Sequence, residues 1–137
     1  MRSLLAWKES LHRKPLVLSG ARQVGKTWLM KEFGKRYFEN VLYISFYNNK
    51  KDATVFEGDY HIQRIISSLE IHHHTKVLPH KTLVIFDEVQ AAPKVVESLK
   101  YFCEDAPEYA VIAAGAAGTG NHVRLHRGVF HGAAPCG

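Results

Sequence analysis

The sequence predicts an α/β chain, a three-layer sandwich in which a mostly parallel sheet of about four to five strands lies between helices. Two stretches carry that expectation. In Pro15-Leu-Val-Leu-Ser-Gly-Ala-Arg-Gln-Val-Gly-Lys-Thr-Trp-Leu-Met30 a short apolar run stops at Gly20, and Gly25-Lys26-Thr27 then opens a helix-forming segment, which gives strand, loop and helix in succession. In Thr82-Leu-Val-Ile-Phe-Asp-Glu-Val-Gln90 an unbroken apolar run describes a strand covered on both faces, as in a parallel sheet between helices.

The remaining elements follow in order. Leu4, Leu5, Trp7 and Leu11 recur at near-helical spacing, so residues 3–13 are expected as a short amphipathic helix that Lys14-Pro15 ends. After the first strand, residues 26–38 place Leu29, Met30 and Phe33 on one side and Lys31, Glu32, Lys35 and Arg36 on the other, a half-buried helix that Gly34 weakens slightly. Residues 41–46, Val-Leu-Tyr-Ile-Ser-Phe, are rich in β-branched and aromatic side chains and form the second strand. Residues 47–52 follow as a solvated loop; Asn49-Lys-Lys-Asp52 spells a guanine-reading pattern, but it precedes the acidic strand instead of following it, and Asp87-Glu-Val-Gln90 lacks the glycine that accompanies that pattern. Ile62, Ile65, Ile66 and Leu69 predict a helix over residues 59–72. His72, His73 and His74 at its end are read as cationic groups near a helix C-terminus, because neighbouring helical residues point about 100° apart and do not easily converge on one ion. Residues 93–103 give a further helix with proline in its first turn and Val95, Val96, Leu99 and Phe102 turned inward. Residues 109–114 give the fourth strand.

Domain organisation follows from a change in character at Gly115. Residues 1–114 form the core. Residues 115–137 hold six of the ten glycines, no acidic residue and only scattered apolar positions, and are expected as a poorly ordered tail. At 137 residues the chain fits one domain. Its 18 basic against 13 acidic residues leave a charge of +5, without a block of Lys and Arg interleaved with aromatics, so attraction to polyanions in general, ATP included, explains the excess as well as nucleic acid does. Cys103 and Cys136 match no metal spacing and are expected as free thiols in a reducing compartment. No apolar run approaches the ~18 residues that span a bilayer. Early charge at Arg2, Lys8 and Glu9 breaks a signal-peptide pattern, so a cytoplasmic chain without a membrane partner is expected.

The chemistry sits in the two diagnostic stretches. A strand-to-helix loop bounded by Gly20 and Gly25 suits a phosphate chain wrapped by backbone N–H groups, with Gly20, Ala21, Arg22, Gln23, Val24, Gly25, Lys26 and Thr27 as the binding residues. Lys26 supplies a positive charge to the β- and γ-phosphates, Thr27 a hydroxyl to Mg²⁺, and the helix that starts there points its positive dipole end at the same anion. Asp87 and Glu88 end the buried strand at its carboxyl edge, where ligands bind in such sheets. Successive strand residues face opposite ways, so Asp87 can hold Mg²⁺ while Glu88 orients and deprotonates the attacking water. The catalytic candidates are therefore Glu88 and Lys26, and the metal candidates Thr27 and Asp87.

Arg13-Lys-Pro15, Gly20-Ala-Arg-Gln-Val-Gly-Lys-Thr27, Thr82-Leu-Val-Ile-Phe-Asp-Glu-Val-Gln90, Leu99-Lys-Tyr-Phe102 and Val111-Ile-Ala-Ala-Gly115 together resemble the N-terminal ATPase domain of the AAA-type ATP-binding proteins of bacteria and archaea, within the P-loop NTPase superfamily. The resemblance runs from about Trp7 to Gly115. It implies a P-loop NTPase sandwich with Walker A and Walker B motifs, ATP and Mg²⁺ as cofactors, and roles for Lys26, Thr27, Asp87 and Glu88 matching those above. In that family a nuclease-like domain often follows, and nucleic acid enters as a partner by that analogy alone. Ala116 stands where the family carries a serine that senses the γ-phosphate, and the segment after it departs from the family, as in a truncated or out-of-frame reading. In this class the first strand lies between the fourth and a fifth, so without the fifth the sheet is incomplete and the first strand is an edge prone to self-association. Mg-ATP binding with weak hydrolysis is the expected function. The alternatives are a truncated, non-catalytic nucleotide-binding fragment acting through partners, and a P-loop kinase or GTPase.

Overall fold

The all-buried run Thr-Leu-Val-Ile-Phe-Asp becomes β3 (Thr82–Asp87), and every one of its residues is buried. In the computed structural model, which describes residues 2–9, 14–20 and 24–116, four strands form one parallel sheet in the order β1-β4-β3-β2. The others are β1 (Leu16–Gly20), β2 (Asn40–Ser45) and β4 (Ala110–Ala116). Neighbouring strands flank β3 on both edges, Leu42 opposite Val84 and Ile85 opposite Ile112, and helices pack on both faces, so residues 83–86 between Thr82 and Asp87 are all apolar. Among the described residues β1 and β2 are the edges.

Strand alternation divides the core in two. Leu83 and Ile85 of β3 point with Leu16, Leu18, Ile112 and Ala114 toward α1 (Arg2–Lys8) and α2 (Val24–Tyr37), where Leu4, Trp7, Met30 and Phe33 meet them. Val84 and Phe86 point the other way, with Leu42, Ile44 and Val111, toward α4 (Ile62–His73) and α5 (Pro93–Asp105). Phe86 is the hub of that side, its ring 5.7 Å from Phe46, 5.6 Å from Phe56 and 6.0 Å from Phe102. The arrangement is the expected three-layer sandwich, with four strands and no antiparallel member among the described residues.

Several boundaries and local readings differ from expectation. The first helix stops at Lys8, with Glu9 in a turn whose N–H donates to the Leu5 carbonyl, and residues 10–13 lie outside the described residues. The helix expected from 59 begins at Ile62, because the Asp59 carboxylate accepts from the His61 N–H at 3.1 Å and from Arg64 Nε at 3.0 Å and so closes a turn ahead of it. β4 runs through Gly115 to Ala116, pairing Gly20 with Ala116; the rest of the stretch read as a tail lies outside the described residues.

In residues 47–52, Tyr47, Asn48, Lys50 and Lys51 are exposed, as a solvated loop requires, but the segment ends in a helical turn with a buried carboxylate. The Asn49 side chain accepts from the Asp52 N–H and caps a single helical turn, α3 (Lys50–Ala53), while Asp52 is buried. The Asp52 carboxylate takes Asn49 Nδ2 at 2.8 Å, His72 Nδ1 at 3.0 Å and His73 Nε2 at 3.0 Å. Two adjacent imidazoles do converge, then, on a carboxylate; they reach it through different ring nitrogens, which offsets the angle between the two side chains. His74 takes the left-handed conformation (φ 51°) that closes α4. Cys103 lies partly exposed near the end of α5, and Cys136 lies outside the described residues. Among the described residues no helix is long and apolar enough to cross a membrane.

Candidate functional site

Alternation along β3 decides where its terminal carboxylate goes. Leu83, Ile85 and Asp87 share the face toward α2, so the buried Asp87 arrives under the first turn of that helix. There Thr27 Oγ1 donates to Asp87 Oδ2 at 2.8 Å, across 60 positions of sequence. The two diagnostic stretches therefore meet at one rim of the sheet. Lys26, also buried, donates from Nζ to the Gly115 carbonyl at 3.3 Å, joining the start of α2 to the end of β4. Burial pushes the Lys26 ammonium below its ordinary pKa, and the charges of Asp87 and Glu88 offset part of that. Gly25 is exposed, and a Cβ built there would meet no atom within 4 Å, so the backbone at the helix start stands clear for an approaching group. Gly20 ends β1 and Val24 opens α2; Ala21, Arg22 and Gln23 lie outside the described residues.

Asp87 has a partner that the motifs did not disclose. Tyr43 of β2 donates its hydroxyl to the same Oδ2 at 2.6 Å, while Oδ1 accepts from the Glu88 N–H at 2.9 Å. Burial pushes the Tyr43 phenol well above its ordinary pKa, and the hydrogen bond to Asp87 and that residue's charge act in the same direction, so the group remains a donor. The signal available in the sequence was parity: Tyr43 shares the face of Val41, opposite to Leu42 and Ile44.

Glu88 follows immediately in the left-handed region, at φ 55° and ψ 44°. A non-glycine residue there costs on the order of 1–2 kcal/mol, a strain that concentrates at functional positions. Gln90 Nε2 donates to Glu88 Oε1 at 2.7 Å. Gln90, for which no role was expected, thus orients the second carboxylate.

Chemically the rim offers a hydroxyl and a carboxylate 2.8 Å apart beside an ammonium and a helix N-terminus. Hard oxygen donors of this kind suit Mg²⁺, which takes one or two protein ligands and completes its shell with water and phosphate oxygens. Among the described residues no group of three His, Cys, Asp or Glu is arranged to hold a metal ion. A cation here therefore depends on ligands brought by a phosphate chain, and Thr27 and Asp87 fit that requirement.

A family model described as an AAA domain matches residues 12–120. No curated protein matches the chain.

Proposed function

The chain belongs to the AAA domain family, a nucleotide-binding domain of ATPase type, and we propose that it binds ATP with Mg²⁺ between α2 and β3 and hydrolyses it weakly. The observation that carries this reading is the 2.8 Å hydrogen bond from Thr27 to Asp87. Backbone N–H groups at the opening of α2 and the helix dipole attract the phosphate chain. Lys26 exchanges its contact with the Gly115 carbonyl, a neutral acceptor, for phosphate oxygens, a charged one. Thr27 and Asp87 would hold Mg²⁺, which would supply positive charge to the phosphate chain. Glu88, oriented by Gln90, takes a proton from the attacking water as the new P–O bond forms and the bond to the ADP oxygen breaks. Weak turnover follows from Ala116, the register partner of Gly20, which brings no hydroxyl to the γ-phosphate; a lost donor of this kind lowers rates on the order of 10²-fold.

Equilibrium binding of ATP with and without Mg²⁺, on the native chain and on Lys26→Ala, tests the site. Affinity should fall at least about tenfold in the variant, on the order of one charge-assisted hydrogen bond, and equal affinity overturns the assignment. Phosphate release by the native chain and by Glu88→Gln tests turnover. The variant should bind ATP and release none, whereas a native chain no more active than the variant returns the reading to a non-catalytic nucleotide-binding domain.

A further inference from the structure

We infer that Tyr43 is a positioning residue for the cation: its hydroxyl holds the Asp87 carboxylate in the orientation in which Oδ2 meets Thr27, so Mg²⁺ affinity depends on a strand outside both motifs. The inference rests on the reading of Thr27 and Asp87 as the cation side of a nucleotide site.

The terminal torsion of an aspartate is broad, so no rotamer well fixes how its two oxygens face. Hydrogen bonds must do so. Oδ1 is taken by the adjacent Glu88 N–H, which leaves Oδ2 to two side chains, Thr27 at 2.8 Å and Tyr43 at 2.6 Å. The Tyr43 contact is the shorter and lies in the charge-assisted range for O–H to carboxylate. Tyr43 is not a proposed metal ligand, whereas Thr27 is.

Tyr43 is in turn held from two directions. Its backbone is fixed by the β2–β3 ladder, in register with Ile85, two residues before Asp87. Its ring lines an open groove of about 420 Å³ between α2 and β2, so packing on that side does not set its angle. Lys31 does, with Nζ 4.0 Å from the ring centroid. Lys31 lies four residues after Thr27, on the same face of α2. One face of this helix therefore grips both the carboxylate and the ring that carries its other donor.

Tyr43→Phe removes the hydroxyl and keeps the ring. The measurement is binding of a fluorescent, non-hydrolysable ATP analogue to the full chain as a function of Mg²⁺. Without metal the variant should bind the analogue within about twofold of the native chain, while the Mg²⁺ concentration for half-maximal enhancement rises about tenfold or more, as when a ligating group loses its outer partner. An unchanged Mg²⁺ dependence overturns the inference. If Lys26→Ala binds the analogue as well as the native chain does, the nucleotide reading itself falls; if that variant fails to bind while Tyr43→Phe keeps the native Mg²⁺ dependence, only the role of Tyr43 falls. Should Tyr43→Phe not fold, Lys31→Met leaves the hydroxyl and frees the ring. It should raise the half-saturation about two- to fivefold, and no rise overturns the inference equally.

Discussion

Gly34 lies inside α2, where alanine would ordinarily be the better residue by about 0.8–1 kcal/mol of helix propensity. Its surroundings argue the reverse. A Cβ built there would sit 2.4 Å from Val41 Cγ2 and 3.0 Å from Leu83 Cδ2. Carbon atoms pack best at about 3.5–4.0 Å, so helix and sheet would have to part by about 1 Å. Neither neighbour yields easily, since Val41 is β-branched with a stiff χ1 and Leu83 is fully buried. Overpacking of this kind costs about 1–3 kcal/mol, and a 2.4 Å approach belongs at the upper end, so Gly34→Ala should destabilise by about 2 kcal/mol after the propensity gain is subtracted. Urea denaturation measures the loss. Repeating it in a Val41→Ala background isolates the cause, because removing both γ-methyls of Val41, Cγ2 among them, should bring the cost of Gly34→Ala below about 0.5 kcal/mol, a coupling well above the error of such cycles. Since α2 also presents Thr27 to Asp87 at 2.8 Å, the same displacement should weaken Mg²⁺-dependent nucleotide binding from seven residues away. A Gly34→Ala chain as stable as the native one, or one equally damaged in both backgrounds, refutes the reasoning.

Two further outcomes concern groups away from the rim. Burial pushes the Asp52 carboxyl up, but hydrogen bonds from His72, Asn49 and His73 together outweigh it and leave its pKa below the ordinary value. A depressed folded pKa means that its stabilisation is complete above the unfolded value of about 4 and is lost as pH falls through the folded one. Denaturation of the native chain and of Asp52→Asn from pH 7 to 3 should therefore show a stability difference that shrinks below about pH 4, and a constant difference contradicts it. Phe86→Ala empties the centre of the aromatic cluster on the α4–α5 side and should cost about 3–5 kcal/mol by urea denaturation; a loss below about 1 kcal/mol would mean that the cluster collapses onto the cavity.

What could be read in the chain and what could not divides along physical lines. Gly20 to Thr27 and Thr82 to Gln90 are contiguous, so their character showed directly, and the face on which Asp87 emerges followed from alternation. Tyr43 was hidden because alternation turns it inward without saying which strand lies beside it; only the pairing of β2 with β3 brings it to Asp87. Gly34 read as a weak helix residue because propensity is local, whereas its use lies in the closeness of Val41. The Asp52 turn misled for the same reason: Asn49-Lys-Lys-Asp52 is polar in sequence, and what buries it comes from His72 and His73, some twenty positions later.

The order β1-β4-β3-β2 has a temporal side. The strand that leads into Lys26 and the strand that ends in Asp87 are separated by β4, the last of the four to leave the ribosome. A nascent chain ending before residue 110 has Lys26, Thr27, Tyr43, Asp87, Glu88 and Gln90 but not Gly115, whose carbonyl Lys26 holds, and it lacks the partner that seats β1 in the sheet. Synthesis must finish the sheet before the two halves of the pocket can be locked together, and the appearance of tight ligand capture during translation would time that insertion.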